Sequence, residues 1–506
     1  AFYVTTTMTI EVRIMPYPCG SASGAVPLPN KIHVLFRFDL EFLMLRALIF
    51  CIFISISGLI TAQPAEAPAS PHNPRSVILI IGDGFDDQHV TMGRNFLAGH
   101  DGELVIDTLP VRAAVQVQTV GKDTQWVYVA DSANTATTLA TGVTTQMGRV
   151  GTSATDEDLV TIAQRANAAG FKTGIVSSSS VTDATPASFM SHVSSRGCEN
   201  PDIILGGELY SVAYEGCPQD ATVNGGPGSI AEQIVKAPID VILGGGLSHF
   251  TTSDPKSGKT AIMMAESQPV SIVTDPAMLT QADSNQRLIG LFATGHLPVR
   301  LQGSDGRGAE QPDTSTLNKL DWRLGSVTQP DPIKCEPNPA YGNTPGLAKL
   351  TEVALDRLTQ DNDTGLFLMV ESASIDKESH VRNPCGSLGE IAQLEEVVSV
   401  ALNFAQTHPE TLIIVTSDHA QAAQIIPEPS LYADIPVPVY SPGHVARLIM
   451  PDGSLMTINY ATNGFVSEEH TGANVPLFAN DVGQGLIPAF LRQREVHDVM
   501  ASFLGL

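Results

Sequence analysis

The chain has 506 residues and a formal net charge of −25, enough for one large α/β domain or two to three ordinary ones. So acidic a chain is a poor match for nucleic acid or an anionic membrane surface, because both need basic patches. Its apolar share of 43% supplies a core and argues against global disorder.

Residues 1–43 begin with Ala and carry no clear pattern, so they are expected to be unstructured upstream sequence ahead of a start at Met44. Met44-Leu45-Arg46 opens a short basic region, Ala47 to Ile60 is an almost unbroken apolar run, and Thr61-Ala62 leads into an Ala/Pro-rich stretch. That order predicts a signal peptide over 44–62, cleaved near Ala62, with 63–74 as a flexible mature N-terminus. A retained anchor is the alternative, although the run is short for a membrane span. Export implies a periplasmic or secreted protein with no membrane attachment in its mature form.

Five apolar runs rich in β-branched residues follow, each ending in an acid or hydroxyl. Val77–Gly82 ends at Asp83, Trp126–Ala130 at Asp131-Ser132, and Thr173–Val176 passes through a serine run to Asp183. Leu366–Val370 ends at Glu371, and Leu412–Ser417 at Asp418-His419. Continuous runs of this length suit strands buried on both faces. Amphipathic stretches at Asp158–Ala169 and Ser387–Gln406 have helical spacing, the first stopped by Gly170. The alternation predicts an α/β fold, a doubly wound, mostly parallel sheet flanked by helices, in a single large domain over 75–506. Ligands of such sheets bind at the carboxyl ends of the strands, so the five polar ends should meet at one edge. Residues 247–345 and 427–465, rich in Gly and Pro, are expected to be loop insertions, the second with a hairpin turn at Asp452-Gly453.

Six cysteines occur, and the predicted cleavage removes Cys19 and Cys51. The simplest pairing of the rest, Cys198 with Cys217 and Cys335 with Cys385, closes two local loops in an exported chain. Zinc ligation is the alternative, but no CxxC spacing is present.

The chemistry concentrates at the strand ends. Asp376 and His380 stand four apart, on one side of a helical turn, where both can reach one ion. Asp418-His419 adjoin at a strand end, and Glu469-His470-Thr471-Gly472 offers a further imidazole. Asp83 and Glu371 add carboxylates. Mixed His/Asp sets suit zinc, and all-oxygen sets suit magnesium. Asp183 and Thr185 present two oxygens suited to a hard cation, and Arg196 has the fork geometry to clamp a phosphate. Ser132 follows a strand-like run and precedes small residues that open a helix, whose N-terminus favours an anion. The same local sequence also fits a plain helix cap at Asp131 or Ser132. Likewise, a solvated Asp/His pair and a surface ion pair of Arg196 account for those residues taken singly.

Six stretches in order resemble bacterial periplasmic alkaline phosphatase: Gly82-Asp83-Gly84, Asp131-Ser132-Ala133, Asp183-Ala184-Thr185-Pro186-Ala187, Val370 to Lys377, Thr416-Ser417-Asp418-His419-Ala420, and Glu469-His470-Thr471-Gly472. The resemblance spans about Arg75 to Leu506. It implies hydrolysis of phosphate monoesters through a phosphoserine on Ser132, at two Zn2+ and one Mg2+, in a homodimer that scavenges phosphate outside the cytoplasm. By resemblance, Asp376, His380 and His470 hold one zinc and Asp83, Asp418 and His419 the other. Asp83 with Asp183, Thr185 and Glu371 holds magnesium, Arg196 grips phosphate, and Lys377 pairs with Asp183. Lys377 and Asp183 mark the bacterial form, and the bacterial enzymes pair cysteines at the same two places. Related phosphodiesterases and sulfatases usually lack the third metal site and the Arg clamp. A metal-stabilised binding protein would need no Ser132. One departure stands out: Phe85-Asp86 replaces the family's Met-Gly, and Asp86 is expected to add negative charge near the metals.

Overall fold

The computed structural model describes residues 74–506 apart from Tyr210, all in one compact unit. The expected upstream segment and signal peptide lie outside the described residues. Ten strands form the central sheet. They are β1 (Ser76–Gly82), β2 (Val111–Gln116), β3 (Lys172–Ser180), β4 (Val241–Gly245), β5 (Val270–Val273), β6 (Arg287–Leu291), β7 (Leu366–Ser372), β8 (Thr411–Ser417), β9 (Val475–Ala479) and β10 (Phe490–Arg492). Their order is β10-β2-β9-β8-β1-β7-β3-β4-β6-β5, and every pairing is parallel except the two made by β9.

The continuous apolar runs have a direct packing cause. In β1, Val77, Leu79 and Ile81 enter the core on one face, and Ile78 and Ile80 enter the core on the other. Phe367 and Met369 against Leu368 and Val370, and Leu412 and Ile414 against Ile413 and Val415, divide the same way. A strand covered on both faces has no polar side to alternate with. Burying each such side chain stabilises the fold by about 1.5–3 kcal/mol.

The helices that place the site are α1 (Asp87–Leu97), α2 (Ser132–Thr141), α3 (Ile162–Ala168), α4 (Leu347–Thr359), α5 (Ser374–His380), α6 (Pro384–Thr407) and α7 (Gln493–Leu504). Helix α6 starts with Pro384 in its first turn behind an Asn383 cap and lays Leu388, Ile391, Leu394, Val397, Val398 and Ala401 into one core at helical spacing. Among the described residues, no helix is long and apolar enough to cross a membrane. Cys198–Cys217 and Cys335–Cys385 are the disulfides.

Three expectations need correction. The run Trp126–Ala130 is no buried strand. Only Trp126–Val127 is extended, paired with Thr119–Val120 in a small hairpin outside the sheet, and both residues are exposed. Helix α3 begins at Ile162 and not at Asp158, because Thr161 and Gln164 form a capping box there. The segment 247–345 is more than loop, since it supplies β5 and β6 to the edge of the sheet. The 427–465 insertion turns at Asp452-Gly453 as expected, and the turn joins a paired hairpin, His444–Ile449 with Leu455–Tyr460.

Asp86 has a structural role that its sequence position did not disclose. Its carboxylate caps α1, accepting from the N–H groups of Gln88 at 3.0 Å and His89 at 3.2 Å, and it bonds the His89 ring at 2.9 Å. The charge is spent on a helix N-terminus and an imidazole. Asp86→Ala should therefore lower the unfolding free energy by about 1–2 kcal/mol, read by denaturant titration, while kcat/KM on an aryl phosphate stays unchanged.

Candidate active site

The register of three adjacent strands brings the acids together. Gly82 lies opposite Ser417 in β8 and Ser372 in β7, so Asp83 and Asp418 leave the sheet side by side, and Glu371 sits beside Ile81. Strand β3 ends at Ser180, and Asp183 follows after a short turn as the cap of the helical turn Ala184–Ala187. Helix α5 follows β7 directly and carries Asp376, Lys377 and His380. Strand β9 runs the other way, so its start faces the same edge, and His470 arrives there paired opposite Gln421. The edge predicted from topology thus exists, fed by four of the five runs. The fifth contributes through α2 and not through a sheet strand.

Two ligand groups result, Asp376 with His380 and His470, and Asp83 with Asp418 and His419, the ligand atoms of each lying within 4.8 Å of one another. All three imidazoles turn Nδ1 to a backbone carbonyl: His380 to Glu468 at 2.5 Å, His470 to Ala130 at 2.7 Å and His419 to Ala420 at 3.3 Å. Protons held on Nδ1 leave Nε2 as the donor atom. The Nε2 atoms of His380 and His470 face each other at 3.1 Å, 3.3 and 3.4 Å from the two Asp376 oxygens. His419 Nε2 lies 3.3 Å from Asp83 and 3.5 Å from Asp418.

The electrostatics ask for cations. Burial, and then the charges of Asp418 and Asp376, push Asp83 up to about 7. Burial and the charge of Asp83 raise Glu371 to about 8. Burial also raises Asp418. Burial alone would lower His419, but Asp418 and Asp83 outweigh it and raise the ring to about 10. For Asp376, burial is outweighed by the bonds from His380 and His470, which hold it well below the carboxylate range. A divalent cation among these groups relieves the repulsion, as a proton otherwise must. A third position has the same character. Thr185 Oγ1 and Glu371 Oε1 are buried without a hydrogen-bond partner, and Glu371 Oε2 is taken by Ser177 and Ser179. Two buried, unsatisfied oxygens, one of them on a carboxyl whose proton is held more tightly by the Asp83 charge, fit a hard cation.

Ser132 opens α2, with Asp131 and Asn134 closing a capping box. The bland reading therefore holds for Asp131, which leaves Ser132 free of capping duty. Its Oγ lies 3.1 Å from His419 Nε2 and 3.4 Å from Asp83 Oδ1. Arg196 is held by Asp183 at 2.9 Å and Asp131 at 3.4 Å, and Lys377 reaches Asp183 at 2.5 Å. Burial would raise Asp183, but Lys377 and Arg196 hold it well below its ordinary range.

Some supporting residues escaped the sequence reading. Gln421 donates to Asp376 at 2.5 Å, and the Gly84 N–H donates to Asp418 at 3.2 Å. Gly84 has φ +70°, and a Cβ there would press on Asp376 and Gln421 at 3.0 Å. The serine run after Val176 was visible, but its service to Glu371 depends on a strand nearly two hundred residues away.

The alkaline phosphatase family model matches residues 74–436. An alkaline phosphatase of Escherichia fergusonii is 38% identical, covering 85% of this chain and 86% of its own. Streptomycin-6-phosphate phosphatase of Streptomyces griseus is 37% identical, covering 83% and 88%. Among solved structures, the alkaline phosphatase of the Antarctic bacterium TAB5 superposes with a TM-score of 0.60 at 20% identity, covering 86% of this chain and 99% of its own. From the sheet-edge site, the family match and these relatives together, the chain belongs to the alkaline phosphatase family and is a phosphatase.

Proposed function

We propose that the chain hydrolyses phosphate monoesters to phosphate and an alcohol through a phosphoserine on Ser132, at a centre of two Zn2+ and one Mg2+. The observation that carries this reading is the position of the Ser132 hydroxyl, at a helix N-terminus and 3.1 Å from an imidazole nitrogen whose ring is oriented for metal. Asp376, His380 and His470 would hold one zinc, and Asp83, Asp418 and His419 the other. Asp183, Thr185 and Glu371, with Asp83, would hold magnesium. In keeping with that third position, variants of the Antarctic enzyme are described with Mg bound in their M3 site. Zinc supplies Lewis acidity that lowers the pKa of a bound hydroxyl and neutralises charge on oxygen.

Ser132 Oγ forms the bond to phosphorus as the ester P–O bond breaks and the alcohol leaves. Water then attacks phosphorus and frees the serine. Arg196, aimed by its two carboxylates, and the first-turn N–H groups of α2 neutralise the remaining phosphate oxygens. Lys377 balances Asp183 and sets the charge beside the third cation. The grip is on the phosphate. A relative named for streptomycin-6-phosphate is 37% identical to this chain and one named simply alkaline phosphatase is 38% identical, which accords with a loosely specified alcohol. The proposal extends to export through a signal peptide at 44–62, a catalytic domain over 75–506, a homodimer, and phosphate scavenging in the periplasm or beyond. Two disulfides support an oxidising compartment.

Ser132→Ala should lower kcat by about 10³-fold and abolish the acid-trapped phosphoenzyme. Labelling that persists in the variant refutes the nucleophile. Chelation should abolish activity, with recovery only when zinc and magnesium are both restored. Thr185→Val removes one of the unsatisfied oxygens and should weaken Mg2+ binding at least about tenfold while both zinc equivalents remain in metal analysis.

A further inference from the structure

The most heavily bonded ion pair near the site belongs to residues that no motif singles out. Arg382 lies two residues beyond His380, between α5 and α6. Its φ is +59°, a left-handed backbone that costs a non-glycine residue about 1–2 kcal/mol. The neighbours hold it there: its N–H donates to Ser379 at 3.0 Å, and its carbonyl accepts from Ala309 at 2.8 Å. From that position the side chain crosses to the 461–469 segment. Nε donates to Glu468 Oε2 at 2.7 Å and Nη2 to the Phe465 carbonyl at 2.6 Å. The other Glu468 oxygen accepts from the Thr462 N–H and hydroxyl, both at 2.5 Å, and from the Asn463 N–H at 3.3 Å.

The pair is buried, with side-chain exposures of 8% for Arg382 and 0% for Glu468. Desolvating two charges is a poor way to gain stability, since apolar replacements often do as well or better. What such a pair does supply is fixed geometry. Here the geometry has an object, because the Glu468 backbone is bonded to His380 twice. Its N–H donates to the His380 carbonyl at 2.9 Å, and its carbonyl accepts from His380 Nδ1 at 2.5 Å. His470 follows two residues later. One ion pair therefore fastens together the two segments whose imidazoles meet at 3.1 Å.

We infer that Arg382 and Glu468 form a strut that fixes the separation of His380 and His470 and the Nδ1–H tautomer of His380, as positioning residues for the Asp376/His380/His470 metal centre. The inference rests on the metal reading given above. The strut makes no hydrogen bond to Asp83, Asp418 or His419, so its removal is felt first at the Asp376/His380/His470 centre and reaches the other only through the His470 ring stacked on His419 at 3.7 Å.

The test uses the full chain, stripped of metal and titrated with Zn2+ against a chromophoric chelator, as wild type, Glu468→Gln, Arg382→Met and the double variant. The strut requires one zinc equivalent to weaken about tenfold or more in each single variant, with the other weakened less and the double variant no weaker than the worse single. The visible spectrum of the Co2+-loaded protein should change for the same equivalent. Zinc constants and cobalt spectra that match wild type, with only the melting temperature lowered, overturn the strut and leave a structural ion pair. Glu468→Gln keeps the shape of the side chain, so it decides the matter alone if Arg382→Met does not fold. A wild-type protein that takes up no zinc overturns the metal reading itself, and the strut with it.

Discussion

Negative charge gathered in a buried place is the constraint from which the rest of the site follows. Asp83, Glu371, Asp376 and Asp418 are each at most 4% exposed, at one edge of one sheet. Carboxylates so placed must be protonated, paired or coordinated. Around them stand the positive partners: three imidazoles with fixed tautomers, Lys377 and Arg196 on Asp183, and the N-terminus of α2. Each cationic element answers a particular anion, and the oxygens left over, on Thr185 and Glu371, mark where protein alone does not complete the balance.

That balance also orders the roles of neighbouring residues. Asp131 caps α2, accepts from the Gly148 N–H at 3.0 Å, and steadies Arg196. The capping duty falls on Asp131, so Ser132 keeps its hydroxyl free for chemistry. Similarly, Asp86 gives its carboxylate to the N–H groups of α1 and to the His89 ring.

Much of this was legible in the sequence because parallel strands buried on both faces leave so plain a trace. Val77–Gly82, Leu366–Val370 and Leu412–Ser417 announced themselves, and the rule that ligands gather at carboxyl ends placed Asp83, Glu371 and Asp418 on one edge. Trp126–Ala130 carried the same local signal and misled, because periodicity does not report whether a run finds covering layers. Strands β5 and β6 went unread because they are short strands at one margin of the sheet among Gly- and Pro-rich turns. The strut between Arg382 and Glu468 left no trace at all. A contact across 86 residues, set by one left-handed backbone, has no local pattern.

The register of β8, β1 and β7 makes the sheet a measuring device. Neighbouring strands stand about 4.8 Å apart because hydrogen bonds fix that spacing, and Asp418, Asp83 and Glu371 ride on three consecutive strands. The pitch of the active site is thus inherited from peptide geometry and not from any particular loop or core side chain. Substitution elsewhere can rewrite the surface without altering the interval at which the acids are presented.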